Sequence, residues 1–90
     1  MDTIAGLARH VGGGELRAAL AERARAEYFQ QRFKQAAPLY ARCGDAALAA
    51  GKKSSAVGCY GSRAVSLSLL GRHEEALVAS ANATEVVDTH

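Results

Sequence analysis

The residues that could bind a metal or perform nucleophilic catalysis are few and widely separated in this sequence. The three histidines are His10, His73 and His90, and none has a Cys, Asp or Glu at a spacing typical of metal ligands. No Ser/His/Asp combination has more support than chance. The sequence therefore predicts no catalytic centre, no metal and no cofactor, and we expect a protein that is not an enzyme.

Two cysteines, Cys43 and Cys59, each fall within a helical pattern and outside any CxxC motif. We expect small buried residues with free thiols in a reducing compartment, and a disulfide between them is the less favoured alternative. The segment Met1-Asp2-Thr3 does not begin a secretory signal. No apolar run approaches the roughly 20 residues that a membrane span needs. These features predict a cytoplasmic protein without a membrane span.

Three consecutive glycines, Gly12 to Gly14, precede Glu15. Such a segment can bind phosphate before a helix, but this one lacks the Gly-Lys-Ser/Thr ending of those loops, and Glu15 would repel a phosphate. Three glycines in a row also cost too much backbone entropy to stay helical. We therefore expect residues 1–14 to form a short helix followed by a glycine linker.

The charge is unevenly distributed, although the net charge of +2 is too small to indicate a nucleic-acid partner. Residues 1–53 have nine basic and five acidic side chains, whereas residues 54–90 have two basic and four acidic ones. One interpretation is two ordinary solvated surfaces, in which Arg17 and Arg25 pair with Glu22 and its neighbours. The other is a basic patch in the first half that receives an acidic partner.

Apolar residues recur at helical spacing from residue 15 onward, and strand formers do not alternate over a useful length. The pattern predicts an all-α fold with two helical hairpins, at 15–50 and 54–88. Pro38 conflicts with a regular second helix because proline removes a backbone hydrogen bond and crowds the preceding turn. Either that helix begins late, near Ala36 or Ala37, or it is kinked.

A repeat of 40 residues is the strongest pattern in the chain. A shift of 40 superimposes Ala24 on Ala64 and Ala36 on Ala76. A repeated helix-turn-helix is typical of a solenoid, in which each unit buries its apolar face against the next. We expect these alanines where helices cross, because larger side chains would force the helices apart.

The second hairpin has an ordered series of aromatic, small and glycine residues, namely Tyr60, Ala64, Gly71, Ala76 and Ala83. This series resembles the tetratricopeptide repeat, and residues 20–50 resemble a weaker copy of it. The resemblance implies antiparallel helix-turn-helix pairs stacked as a short solenoid. Because the spacing is 40 residues and that of the family is about 34, it also implies an extended region around Gly51 to Ser55.

Tetratricopeptide domains bind extended peptides in the groove formed by the first helix of each pair, and the resemblance implies the same use here. The segment from Tyr60 to Ala64 looks like the Tyr-Ser-Asn-Arg-Ala segment of co-chaperones that grip a C-terminal carboxylate. The Asn of that clamp falls on Ser62, and its first-helix Lys and Asn fall on Ala21 and Arg25. Arg17 and Phe29 of the first half are further candidates. The candidate partner-binding residues are therefore Arg17, Arg25, Phe29, Ser62 and Arg63.

The sequence thus predicts a non-catalytic protein-interaction module, either an adaptor or a co-chaperone-like protein, that binds a protein or an acidic peptide. The alternative is a module resembling the three-helix microtubule-interacting-and-trafficking domain, which the number of helices distinguishes. Two repeats leave an apolar end exposed, with Val78, Val86 and Val87 in the last helix. We therefore expect a homodimer, a partner that covers this end, or a longer protein.

Overall fold

The computed structural model describes residues 13–89, which form four α-helices and no strand. Helix α1 spans Gly13–Phe29, α2 spans Phe33–Ala49, α3 spans Lys53–Leu69 and α4 spans His73–Thr89. Each helix packs against the next in the chain, and no other pair of these four helices packs to a comparable extent. The described chain is therefore an all-α stack of two antiparallel helix pairs, as the sequence predicts.

The three turns between the helices have the same construction. Each places one residue in the left-handed region, with φ of 61° at Gln31, 72° at Gly51 and 79° at Gly71. In each turn the following N–H donates to a carbonyl five residues back, as the N–H of Arg32 does to Glu27 at 2.9 Å. This is the Schellman arrangement that ends many helices.

The prediction of an extended region between the two helix pairs, around Gly51 to Ser55, is wrong. The turn at Gly51 is as short as the other two, and every helix has 17 residues. Successive helices therefore begin 20 residues apart. The 40-residue repeat consists of two 17-residue helices with short turns, and no extended connection contributes to it.

The predicted glycine linker is wrong where the structure describes it, because α1 begins at Gly13 and includes Gly14. A Cβ on Gly14 would lie 3.0 Å from Cε of Lys52, so this end of α1 packs closely on the turn before α3. Glu15 lies in the first turn of α1, where the helix dipole favours negative charge. The expected short helix before Gly13 lies outside the described residues.

Pro38 lies inside α2, which begins at Phe33, so the late start near Ala36 is wrong. The proline ring is exposed to solvent, whereas Ala36, Ala37 and Tyr40 beside it are buried. Burial of this face against the neighbouring helices offsets the backbone hydrogen bond that proline cannot make.

The prediction of free thiols is also corrected. Cys43 of α2 and Cys59 of α3 are both buried, as expected, but a disulfide joins them, with their Cα atoms 5.8 Å apart. That separation is usual for a disulfide. The bond connects the first helix pair to the second. It also removes a premise of the cytoplasmic prediction, because disulfides persist mainly in oxidising compartments.

Candidate functional site

An open groove lies between α1 and α3, with α2 behind it. Two adjoining cavities of about 310 Å³ and about 520 Å³ form this groove. Both are lined by Arg25 of α1, Tyr40 of α2, and Gly58 and Ser62 of α3. Since consecutive helices are antiparallel, α1 and α3 run in the same direction. We call this surface the α1/α3 groove.

Arg17 and Arg25 form a basic wall along α1. They are eight residues apart, which is two turns and about 12 Å along the helix axis. No described carboxylate lies within ion-pair distance of either guanidinium, although Glu22 lies on the same surface of α1. The predicted pairing with Glu22 is therefore absent from the described chain. Nε of Arg17 is also buried without a hydrogen-bond partner, so this guanidinium can meet a ligand only through its other nitrogens.

One end of the α1/α3 groove is apolar. The ring of Phe29, at the end of α1, is 74% exposed and lies edge-on to Tyr28, with ring centroids 5.8 Å apart. Val65 of α3 lines the same cavity and is also exposed. The groove therefore offers apolar contact beyond its basic wall.

Apart from Val65, the wall formed by α3 consists of small residues, namely Ser55, Gly58, Cys59, Gly61 and Ser62. A Cβ built on Gly58 or Gly61 would meet no atom within 4 Å. The space above this wall is open, so the backbone of a ligand can approach the helix closely.

Tyr40 reaches from α2 to the floor of the groove and is buried. Burial raises the pKa of its phenol, and the nearby Arg25 charge and a hydrogen bond with Ser62 partly oppose this rise. The phenol is therefore neutral at physiological pH. The positive charge of Arg25 is not cancelled by a phenolate beneath it.

Four of the five predicted partner-binding residues line this groove. They are Arg17, Arg25, Phe29 and Ser62. Arg63 follows Ser62 in the chain but lines a different cavity, between α2 and α4, because successive residues of a helix point about 100° apart. The involvement of the four residues in binding stays a prediction.

The cavity between α2 and α4 measures about 300 Å³ and is built around Tyr60. The hydroxyl of Tyr60 donates a hydrogen bond to Oδ1 of Asp45 at 2.6 Å. Burial first, and then the hydrogen bond and the charge of Asp45, raise the pKa of Tyr60 to about 12. The phenol therefore stays protonated at neutral pH and acts as a fixed donor that connects α3 to α2.

The predicted packing residues lie in the core or at a turn. Ala24 and Ala36 are completely buried, and Tyr60 is 7% exposed. Ala64, Ala76 and Ala83 are half-buried and pack against buried clusters, and Gly71 occupies the turn before α4.

The small residues of the α3 wall and Tyr40 at the groove floor were not among the residues predicted from the sequence. The signals were present. Ser55, Gly58 and Ser62 are spaced three and four apart, which places small residues along one helix face. A shift of 20 residues, half the noted repeat, superimposes Leu20, Tyr40 and Tyr60.

In residues 13–89, no group of three His, Cys, Asp or Glu side chains is arranged to hold a metal ion, and no helix is long and apolar enough to cross a membrane. The chain matches no protein-family model, no curated protein and no solved structure. Its fold and groove define an all-α protein with stacked helix pairs. Four helices in two pairs differ from the three-helix module considered above.

Proposed function

We propose that the chain is a non-catalytic protein-interaction module that binds an extended acidic peptide in the α1/α3 groove. The main support is the pair of guanidinium groups, Arg17 and Arg25, that have no described carboxylate partner and lie beside an open wall of glycines. Guanidinium groups bind carboxylates through two parallel hydrogen bonds. The resemblance of the second hairpin to a tetratricopeptide repeat supports the same function.

The spacing of the two arginines suggests the spacing of acidic residues in the ligand. An extended peptide advances about 3.3 Å per residue, and alternate side chains point to opposite sides. Two carboxylates four residues apart therefore lie on one side, about 13 Å from each other, which matches the two arginines. Phe29 lies about 6 Å beyond Arg25, or two further peptide residues. We propose acidic residues at positions 1 and 5 and a large apolar residue at position 7.

A labelled peptide tests this proposal. Its sequence has Glu at positions 1 and 5, Leu at position 7 and Ser elsewhere, and binding is measured by fluorescence polarisation at low salt. We expect Arg17→Glu/Arg25→Glu to weaken binding at least tenfold, which is about 1.4 kcal/mol. The matched control Arg23→Glu/Arg42→Glu changes the net charge equally at exposed residues outside the groove. Equal weakening by both variants would refute the proposed site.

Filling the groove provides a second test that does not alter charge. Gly61→Leu places a side chain in the open space above α3, and leucine has a higher helix propensity than glycine. We expect a stable fold, seen as an unchanged or raised Tm, together with loss of peptide binding. Ser68→Leu, at an exposed position of α3 that lines no described cavity, should bind normally.

The C-terminus of the peptide distinguishes an adaptor from a co-chaperone-like protein. Ala21 lies in the groove where the clamp lysine of co-chaperones falls and provides no charge. We expect peptides with a free and an amidated C-terminus to bind equally, as an adaptor would bind them. A preference of tenfold or more for the free carboxylate would favour the co-chaperone-like alternative.

The cytoplasmic location predicted from the sequence is a separate proposal. The Cys43–Cys59 disulfide counts against it, so the state of these cysteines in cells tests it. Thiols can be alkylated during lysis and counted by mass spectrometry. Free Cys43 and Cys59 in freshly lysed cells would support a reducing compartment, whereas an intact disulfide would contradict it.

A further inference from the structure

Helix α4 shares the register of the helices before it, and this register identifies the surface that a following helix would cover. In α2, four positions along one face are buried, and they are Ala37, Tyr40, Gly44 and Ala47. Residues at both ends of this face contact α3, since Ala37 clusters with Leu67 and Ala47 clusters with Ala56. The side chain of Tyr60 lies over Gly44.

The corresponding positions of α1 and α3 are covered in the same way. A shift of 20 residues gives Arg17, Leu20, Ala24 and Glu27 in α1, and Val57, Tyr60, Ala64 and Leu67 in α3. All eight are buried or half-buried. The same shift gives Leu77, Ser80, Thr84 and Val87 in α4, and all four are exposed. Leu77 is 71% exposed and Val87 is 57% exposed.

The residue types on this face of α4 are those of a helix–helix contact. Apolar side chains occupy its two ends, and the small residues Ser80 and Thr84 lie between them. Ala24 and Gly44 occupy the position of Thr84 in the first two helices, where small size allows the next helix to approach closely. We call the surface formed by Leu77, Ser80, Thr84 and Val87 the α4 face. It is the next contact surface of the stack, and no helix within residues 13–89 covers it.

We propose that α4 of a second copy of this chain covers the α4 face, with the two helices antiparallel about a two-fold axis. Antiparallel packing is the arrangement of every consecutive helix pair in this fold. A two-fold contact is satisfied by two copies, whereas packing α4 on α1 of another copy would produce a larger ring or an open filament.

The α4 face is self-complementary in this arrangement. When Leu77 of one copy is placed opposite Val87 of the second, Ser80 falls opposite Thr84 in the same register, and the symmetry repeats both pairs. Apolar side chains therefore meet apolar ones, and small hydroxyls meet small hydroxyls. Asp88 falls opposite Ala76 of the second copy, so this carboxylate does not face another one.

The hydroxyl groups also have compatible hydrogen bonds. Thr84 donates to the backbone carbonyl of Ser80 within its own helix at 3.2 Å, and its oxygen can still accept. No described group is bonded to the Ser80 hydroxyl, which can donate to Thr84 of the second copy. The two-fold axis gives two such bonds.

One pair of helix faces is smaller than the roughly 1,200–2,000 Å² of a standard interface, so we expect a weak dimer. Sedimentation velocity from about 10 µM to about 1 mM spans the affinity of such an interface. Monomer at low concentration that becomes dimer at high concentration is the expected result. Monomer throughout this range would overturn the proposal.

Two adjacent substitutions provide a matched pair. Leu77→Glu should raise the dimer dissociation constant at least tenfold. Val78→Glu should leave it within about threefold, because Val78 is also exposed but lies off the face, at the position of the exposed Pro38 and Gly58. Circular dichroism checks that both variants fold. Equal effects of the two variants on dimerisation would refute the assignment of Leu77, and not Val78, to the contact face.

Cross-linking tests the two-fold geometry. In an equimolar mixture of Ser80→Cys and Thr84→Cys chains, oxidation should yield a covalent dimer that neither chain gives alone. Equal cross-linking of each single-variant sample and of the mixture, or no cross-link in the mixture, would rule out this geometry. No α4 residue lines the α1/α3 groove, so Leu77→Glu should bind the probe peptide normally. Failure of the peptide test would therefore leave the dimer proposal intact.

Discussion

Gly44 of α2 lies directly beneath the aromatic ring of Tyr60 of α3. A Cβ on Gly44 would come within 2.7 Å of both Cδ1 and Cζ of that ring, which is closer than non-bonded carbons can approach. The absence of a side chain at Gly44 therefore lets α2 and α3 meet at the junction of the two helix pairs.

We expect Gly44→Ala to destabilise the fold by about 1–3 kcal/mol, the usual cost of overpacking a core. In an open helical position the same change would stabilise by about 0.5–1 kcal/mol. Gly58→Ala is the matched control, because nothing lies within 4 Å of its Cβ. Urea denaturation of the two variants should give shifts of opposite sign. A stabilising effect at both positions would contradict the close packing at Gly44.

The Tyr60 phenol should make stability fall at high pH. Its pKa is about 12 in the folded state and about 10 in an unfolded chain. A raised pKa stabilises the fold fully below pH 10, and this contribution is lost between about pH 10 and pH 12. We expect Tyr60→Phe to lose less stability than the wild type between pH 9 and pH 12 in urea titrations. Equal losses would contradict the shift.

Reduction of the disulfide should destabilise the fold. Cys43 and Cys59 are 16 residues apart, and a loop of that length contributes about 3 kcal/mol when closed. Thermal unfolding with and without dithiothreitol measures the difference. Cys59→Ala should be insensitive to the reductant, which separates loss of the bond from other effects of the reagent.

Enlarging the alanines should destabilise in proportion to their burial. Ala36 is completely buried, whereas Ala76 is half-buried. We expect Ala36→Leu to cost more than Ala76→Leu, with both within about 1–3 kcal/mol. Thermal melts that rank the two variants in the reverse order would contradict the crossing geometry.

The carboxylate of Glu75 should titrate below its usual range. Arg72 donates two hydrogen bonds to it, one of them from Nη2 to Oε1 at 2.6 Å, and these lower the pKa of Glu75. A lowered pKa means that the pair stabilises the fold at neutral pH and stops doing so as the pH falls through that value. NMR titration of Glu75 in the wild type and in Arg72→Gln should show the pKa rise when the guanidinium is removed.

Local sequence determined the helices and most of their ends. Apolar spacing placed all four helices, and Gly51 and Gly71 marked two of the turns because glycine adopts a positive φ without strain. Gln31 occupies the corresponding position of the first turn with φ of 61°, although glutamine is not a residue that a left-handed position favours. These signals involve only a few neighbouring residues, so they can be recognised along the chain.

Much of the candidate groove could also be anticipated. Arg17, Arg25, Phe29 and Ser62 were identified from charge, exposure and resemblance, and the fold places all four on one surface. Arg63 was assigned with them because it lies in the segment that resembles the co-chaperone clamp, but the rotation of the helix turns it to another cavity.

Tertiary packing decided the rest. Pro38 stays within a helix because burial between helices outweighs its local preference. The same packing brings Cys43 to Cys59 and Gly44 to Tyr60, which are distant in sequence. Such contacts depend on the register between helices, and a pattern within one helix does not contain that register. The sequence alone thus determined which segments are helical, whereas the stacking of those helices determined which residues share a groove, a bond or an uncovered face.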